Sequence, residues 1–217
     1  MTTPWTEASR QARVDDLLGR APVLPVLSIA RLDDAVPLAR ALVEAGLPVL
    51  EVTLRSAVAL EAIARIVQEV PGAIVGAGTV LDASQLEAVA EAGAAFAISP
   101  GASDGLYAAA AMSRIAWIPA VATASDIMRG LDHGHRRFKF FPAESSGGVA
   151  AVRSFAGPFP QVKFCPTGGI EASSAPRYLA LGNVATVGGS WMVPGTALQA
   201  RDWASILELS RQAAKLR

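Results

Sequence analysis

The segment RRFKFFPAE, residues 136–144, sets a lysine inside an aromatic run: Phe138 precedes Lys139, and Phe140 and Phe141 follow it. An ammonium in apolar surroundings is costly unless it is paired or neutralised. Two arrangements meet that condition. A carboxylate can pair with the lysine as a buried structural tie. Alternatively, the apolar setting favours the neutral amine, which can attack a carbonyl carbon. Glu51 interrupts the apolar run PVLEVTL (48–54) and is the carboxylate that fits either reading. Structural and catalytic pairs look alike at this level, so both readings stand. Lys163 and Lys215 are the other lysines. Lys215 lies in the C-terminal tail. Lys163 opens a strand four residues before Thr167, roughly 13 Å below that strand's far end at ~3.3 Å per residue. Lys139 alone is placed for chemistry.

Other polar residues gather at the ends of apolar runs. Arg55 closes the segment that holds Glu51, and Thr79 ends AIVGAGT (73–79). Thr167-Gly168-Gly169 and Gly188-Gly189-Ser190 end the last two runs. Backbone amides in such glycine-rich ends can cradle a phosphate, aided by a helix N-terminus. Each Gly-Gly taken singly also reads as a tight turn. Two of them on adjacent final strands favour phosphate.

The elements that must position these residues follow from the hydropathy pattern. Short apolar runs fall at 22–29, 48–54, 73–79, 95–100, 115–121, 138–142, 162–169 and 184–190. Helical patterns such as 33–46 and 56–70 alternate with them. In the second, Val58, Ile63, Ile66, Val67 and Val70 recur near helical spacing. Continuous apolar strands alternating with helices imply a parallel sheet buried on both faces. Eight such units predict an α/β (β/α)8 barrel, with an extra N-terminal helix over the first 18 or so residues. A doubly wound open sheet is the competing architecture. No linker or low-complexity tract divides residues 1–217, so a single domain is expected. In such folds chemistry sits at the C-terminal ends of the strands. Side chains alternate faces along a strand. Lys139 and Phe141 therefore share one face, Phe138 and Phe140 the other, and Val49, Glu51 and Thr53 share a face of their own strand. Glu51 and Lys139 can then meet inside the barrel.

Composition narrows the function. The chain has 217 residues, is 52% hydrophobic and carries a formal net charge of zero, which argues against nucleic-acid binding through bulk charge. Its one cysteine, Cys165, excludes an intrachain disulfide and reads as a small buried strand residue. The start lacks the apolar core of a signal peptide, and no charge-free apolar run reaches the ~18 residues of a membrane span. A soluble cytoplasmic protein is expected. His133 and His135 read as helix-end or surface residues, since a metal needs about three or four ligands. Trp5, Trp117, Trp191 and Trp203 read as core or interface, with Trp191 also placed to order the Gly188–Ser190 turn.

Six segments together resemble the bacterial 2-keto-3-deoxy-6-phosphogluconate (KDPG) aldolases, a family that includes 4-hydroxy-2-oxoglutarate (KHG) aldolases. They are GLPVLEVTLR (46–55), VGAGTV (75–80), FAISPG (96–101), GHRRFKFFPAESSGG (134–148), FCPTGGI (164–170) and GGSWMVP (188–194). The resemblance spans nearly the whole chain, in order. It implies a (β/α)8 barrel, a homotrimer, and reversible cleavage of KDPG to pyruvate and glyceraldehyde 3-phosphate without metal or other cofactor. Cleavage of 4-hydroxy-2-oxoglutarate to pyruvate and glyoxylate is implied as well. By the same resemblance Lys139 forms an imine with the C2 carbonyl and Glu51 is the general acid and base. Arg55 and Thr79 hold the pyruvyl carboxylate, and Pro100 and Phe141 shape the pyruvyl pocket. Thr167 touches the substrate chain, and Gly168, Gly169 and Ser190 bind the phosphate. The chain departs from the pattern at Ala120, Ala122 and Asp126 and in IEASSAPRYL (170–179). These departures leave open the distal preference and the C4 configuration, with the galactonate-derived epimer as alternative substrate. A phosphosugar isomerase or epimerase using Glu51 as base, and a non-catalytic binding barrel, are the competing functions.

Overall fold

The computed structural model describes residues 6–216; Trp5 lies outside them. The N-terminal helix α1 (Glu7–Gly19) starts at Thr6, whose hydroxyl accepts from the Ser9 N–H in a capping box. Nine strand segments follow: β1 (Val23–Leu27), β2 (Val49–Thr53), β3 (Ile74–Gly78), β4 (Phe96–Ile98), β5 (Ala116–Ile118), β6 (Ala120–Val121), β7 (Arg137–Phe140), β8 (Lys163–Pro166) and β9 (Val187–Gly189). The helices that matter below are α2 (Ala35–Glu44), α3 (Ala59–Glu69), α4 (Ala83–Glu91), α5 (Asp104–Met112), α6 (Ala124–Asp132), α7 (Gly148–Ser154), α8 (Ala175–Leu179), α9 (Gly195–Ala200) and α10 (Trp203–Ala214).

All strand pairings are parallel, as expected for strands separated by helices. They form a six-stranded sheet in the order β5-β4-β3-β2-β1-β9 and a three-stranded sheet in the order β6-β7-β8. The run at 115–121, expected as one strand, is split at Pro119. Proline has no N–H to give a ladder. The chain changes partner there: β5 pairs with β4, and β6 with β7. The Pro119 carbonyl still accepts from the Lys139 N–H at 3.0 Å. Between β8 and β9 the contact is two isolated bridges, Phe164 with Val184 and Thr167 with Gly188.

Strand alternation produces two cores. Leu50, Val52, Phe138 and Phe140 pack with helix residues such as Leu38, Leu42, Ile63 and Ile66. Val49, Phe96, Ile98 and Cys165 face the other way and pack with Val14, Leu17 and Leu18 of α1. The helix α1 thus seals one end of the interior. Asp15 on it pairs with Arg137, where β7 begins, with an Nη2–Oδ2 distance of 2.9 Å. Lys163 is exposed at the start of β8, at the same end of the strands. The α3 pattern holds at Ile63, Ile66 and Val70, but Val67 is 42% exposed. Trp117 is buried, and Trp191 and Trp203 pack partly buried against the core.

His133 caps the C-terminus of α6 and stacks on Tyr107, with ring centroids 4.1 Å apart. His135, expected near the surface, is buried edge-on to Trp117, because a neutral imidazole packs as a flat ring in an aromatic cluster. Burial, with the charges of Arg10 and His133 adding to it, pulls its pKa down to about 4. The unfolded imidazole titrates near 6.5. Below that value the unfolded chain binds the extra proton and the folded one does not. His135 therefore contributes stability above about pH 6.5 that is lost as pH falls toward 4, about 3 kcal/mol in all. Urea unfolding near pH 7 and near pH 4 should show a His135→Phe variant losing less stability than the parent by that order. Equal losses in both proteins would remove this assignment.

Candidate active site

Strands β2 and β7 belong to different sheets, yet their side chains meet across the interior. Lys139 Nζ lies 2.9 Å from Glu51 Oε1. The two residues are 5% and 1% exposed. The Phe141 ring, two residues on and on the same face, has its centroid 5.2 Å from Nζ. Glu51 Oε2 is buried without a hydrogen-bond partner among the described residues. A buried, unsatisfied carboxylate oxygen is costly and calls for an explanation. Oε1 of the same carboxylate is the atom that meets Lys139, so Oε2 is the one oxygen of the pair left open inside the site.

Two glycines make the space for these groups. A Cβ on Gly78 would lie 2.2 Å from Glu51 Oε1. A Cβ on Gly188 would lie 2.2 Å from Thr167 Oγ1. The apolar pattern alone does not mark Gly78, but a glycine within a strand signals close approach of another group. Cys165 stands opposite Lys139 in the ladder between β7 and β8, and Ala120 opposite it between β6 and β7. Burial pushes the Cys165 thiol up to about 12, so it is a neutral packing group.

At the mouth, the Thr53 hydroxyl donates to the Leu27 carbonyl at 2.9 Å and accepts from Arg55 Nε at 3.2 Å. That anchors the exposed guanidinium above the end of β2. Thr79, one residue past β3, has φ +60°. A β-branched residue in the left-handed region costs on the order of 1–3 kcal/mol, and such outliers cluster at functional sites. Pro100 and Phe141 line a cavity of 110 Å³ with Ala120, Ala122, Asp126 and Arg129. Thr167 is buried, and Gly168 and Gly169 have φ of +105° and +77°. The N–H groups of Gly169 and Ser190 meet no backbone acceptor among the described residues. The Trp191 ring fills the space beside Gly189, where a Cβ would lie 1.9 Å from it. No helix begins at either glycine pair; α8 and α9 start further along. Lys139 is in reach of both Glu51 and Phe141. No side-chain hydrogen bond among the described residues joins Thr79 or Ser190 to that group. Among the described residues no three His, Cys, Asp or Glu side chains cluster to hold a metal.

Residues 14–209 match the family model for KDPG and KHG aldolases. The KHG/KDPG aldolase of Escherichia coli K12 is 53% identical, over 92% of this chain and 93% of its own. The KDPG aldolase of Legionella pneumophila, with pyruvate captured at low pH as a covalent carbinolamine intermediate, superposes with a TM-score of 0.91 at 46% identity, covering 93% of this chain and 98% of that one. The corresponding aldolase of Zymomonas mobilis ZM4 with 3-phosphoglycerate gives 0.90 at 51% identity, covering 94% and 96%. With a buried lysine and glutamate paired across the strands and similarity along nearly its whole length, this chain belongs to the KDPG and KHG aldolase family.

Proposed function

We propose that the chain is a class I aldolase that reversibly cleaves KDPG to pyruvate and glyceraldehyde 3-phosphate, and 4-hydroxy-2-oxoglutarate to pyruvate and glyoxylate. The observation that carries this reading is the Lys139–Glu51 contact inside the fold. Lys139 Nζ gives a proton to Glu51 and attacks C2 of the keto acid. Glu51 returns a proton to the carbinolamine oxygen, which leaves as water, and an iminium remains. Glu51 then takes the proton of the C4 hydroxyl through a water. The C3–C4 bonding electrons move into a C2–C3 double bond, and the iminium nitrogen receives the displaced pair. The aldehyde leaves, the proton taken up by Glu51 passes through water to C3 of the enamine, and water adds to the resulting iminium to release pyruvate and free Lys139. An iminium accepts those electrons far better than a ketone, which is the gain from covalent catalysis.

Arg55 and Thr79 hold the pyruvyl carboxylate; a planar guanidinium suits its two oxygens. Pro100 and Phe141 shape the pyruvyl pocket. Thr167 touches the chain of the substrate, and Gly168, Gly169 and Ser190 receive the phosphate. The Gly169 and Ser190 N–H groups, which meet no backbone acceptor among the described residues, support that last role. The departures at Ala120, Ala122 and Asp126 line the same cavity as Pro100 and Phe141. Counting β5 and β6 as one strand broken at Pro119, we infer a closed eight-stranded barrel in which residues 1–217 act as one domain. We also infer a homotrimer working in the cytoplasm; among the described residues no helix is long and apolar enough to cross a membrane.

Borohydride reduction in the presence of pyruvate, followed by peptide mass mapping, tests the chemistry. A pyruvate adduct on Lys139 is expected. Folded protein that yields no adduct would exclude the imine mechanism.

A further inference from the structure

The distal end of the site rests on a loop that makes little ladder of its own. Thr167, Gly168 and Gly169 leave β8 with two consecutive left-handed glycines. Their carbonyls are held from the segment that follows Lys139. The Ala143 N–H donates to the Thr167 carbonyl at 2.8 Å, and the Glu144 N–H to the Gly168 carbonyl at 3.1 Å. The Glu144 side chain then packs against the turn: a Cβ on Gly169 would lie 2.9 Å from its Cβ and Cγ. Glu144 is exposed and would be free to swing, but Tyr178 Oη donates to its Oε1 at 2.7 Å. Tyr178 is fully buried in α8, the first helix after the loop. Burial, then the bond to Glu144, raises the phenol well above its usual range, so the hydroxyl keeps its proton and remains a donor.

A loose carboxylate beside a phosphate subsite would repel the ligand. A carboxylate drawn toward α8 by a buried hydroxyl instead braces the loop. We propose that Glu144 and Tyr178 are positioning residues: their hydrogen bond holds the Thr167–Gly169 backbone so that its N–H groups receive the phosphate of the aldehyde half, and it thereby sets the preference for phosphorylated over unphosphorylated acceptors. The proposal rests on the aldolase reading above and deepens its distal subsite.

The test is the condensation of pyruvate with glyceraldehyde 3-phosphate or with glyoxylate. Tyr178→Phe should raise KM for the phosphorylated aldehyde about tenfold, the scale of one charge-assisted hydrogen bond. Its kcat, and its KM for pyruvate and for glyoxylate, should stay within about twofold. Glu144→Ala should behave alike. Glu144→Gln keeps an acceptor for the phenol and should retain the parent KM. A Tyr178→Phe and a Glu144→Ala variant that both leave KM for the phosphorylated aldehyde unchanged would overturn the proposal. So would a parallel loss of kcat and of pyruvate KM, which marks general damage. Should Tyr178→Phe fail to fold, Glu144→Ala, an exposed side chain, carries the same comparison. Borohydride trapping of the parent with pyruvate is run alongside. Absence of its adduct counts against the aldolase reading, whereas calorimetry with 3-phosphoglycerate on parent and variants still reports on the brace.

Discussion

Lys139→Met is expected to abolish the pyruvate adduct and to lower kcat/KM by on the order of 10⁴-fold or more, as loss of a covalent nucleophile does. The same substitution should destabilise the fold. It leaves Glu51 buried without its cation, and breaking a buried pair by removing one partner costs about 3–5 kcal/mol. The two effects separate in a double variant. Lys139→Met with Glu51→Leu removes both charges, so much of the stability should return while activity does not. Urea midpoints and single-turnover assays on the three proteins measure both quantities. A folded Lys139→Met that keeps full turnover would favour an isomerase or epimerase, which needs no covalent amine.

Glu51→Gln should cut turnover by about 10²–10⁴-fold, the usual range for a general acid or base, and should still allow the Lys139 adduct to be trapped. The amide has the shape of the carboxylate, so it fits the space left by Gly78 and still offers Lys139 an acceptor. What it lacks is a group that takes and returns protons. Trapping therefore proceeds slowly while release of the aldehyde fails. Turnover equal to the parent would assign the proton transfers elsewhere.

The parts of the site that follow from backbone geometry were legible in the sequence. Alternation along a strand put Glu51 with Thr53 and Lys139 with Phe141, and it sent Phe138 and Phe140 to the helices; the two cores have that division. Strand direction put Lys163 at the far end, where it is exposed. Features set by contact between distant segments were not legible. Gly78 is small because Glu51 needs its volume, and Gly188 because Thr167 does. His135 looks like a polar helix-end residue until Tyr107 and Trp117 close around it. Pro119 marks a break in its apolar run, but which strand each half pairs with depends on the strands that flank it in space, and the run gives no sign of that. Tyr178 lies 34 residues from Glu144, inside a stretch that departs from the family pattern, and only the folded chain brings them together.

The division at Pro119 bears on how the molecule breathes. The three-stranded unit β6-β7-β8 joins the larger sheet through the proline break on one side and isolated bridges on the other. Neither seam carries a full ladder, so opening along these seams is expected to cost less than opening within either sheet. The Lys139–Glu51 contact spans from that unit to the larger sheet and acts as a latch between them. In the proposed mechanism a lysine held as an imine no longer offers Glu51 an ammonium, so the contact between the two sheets changes with the covalent state of Lys139. Amide exchange along residues 137–140, compared before and after borohydride trapping of pyruvate, is the measurement that reads this change.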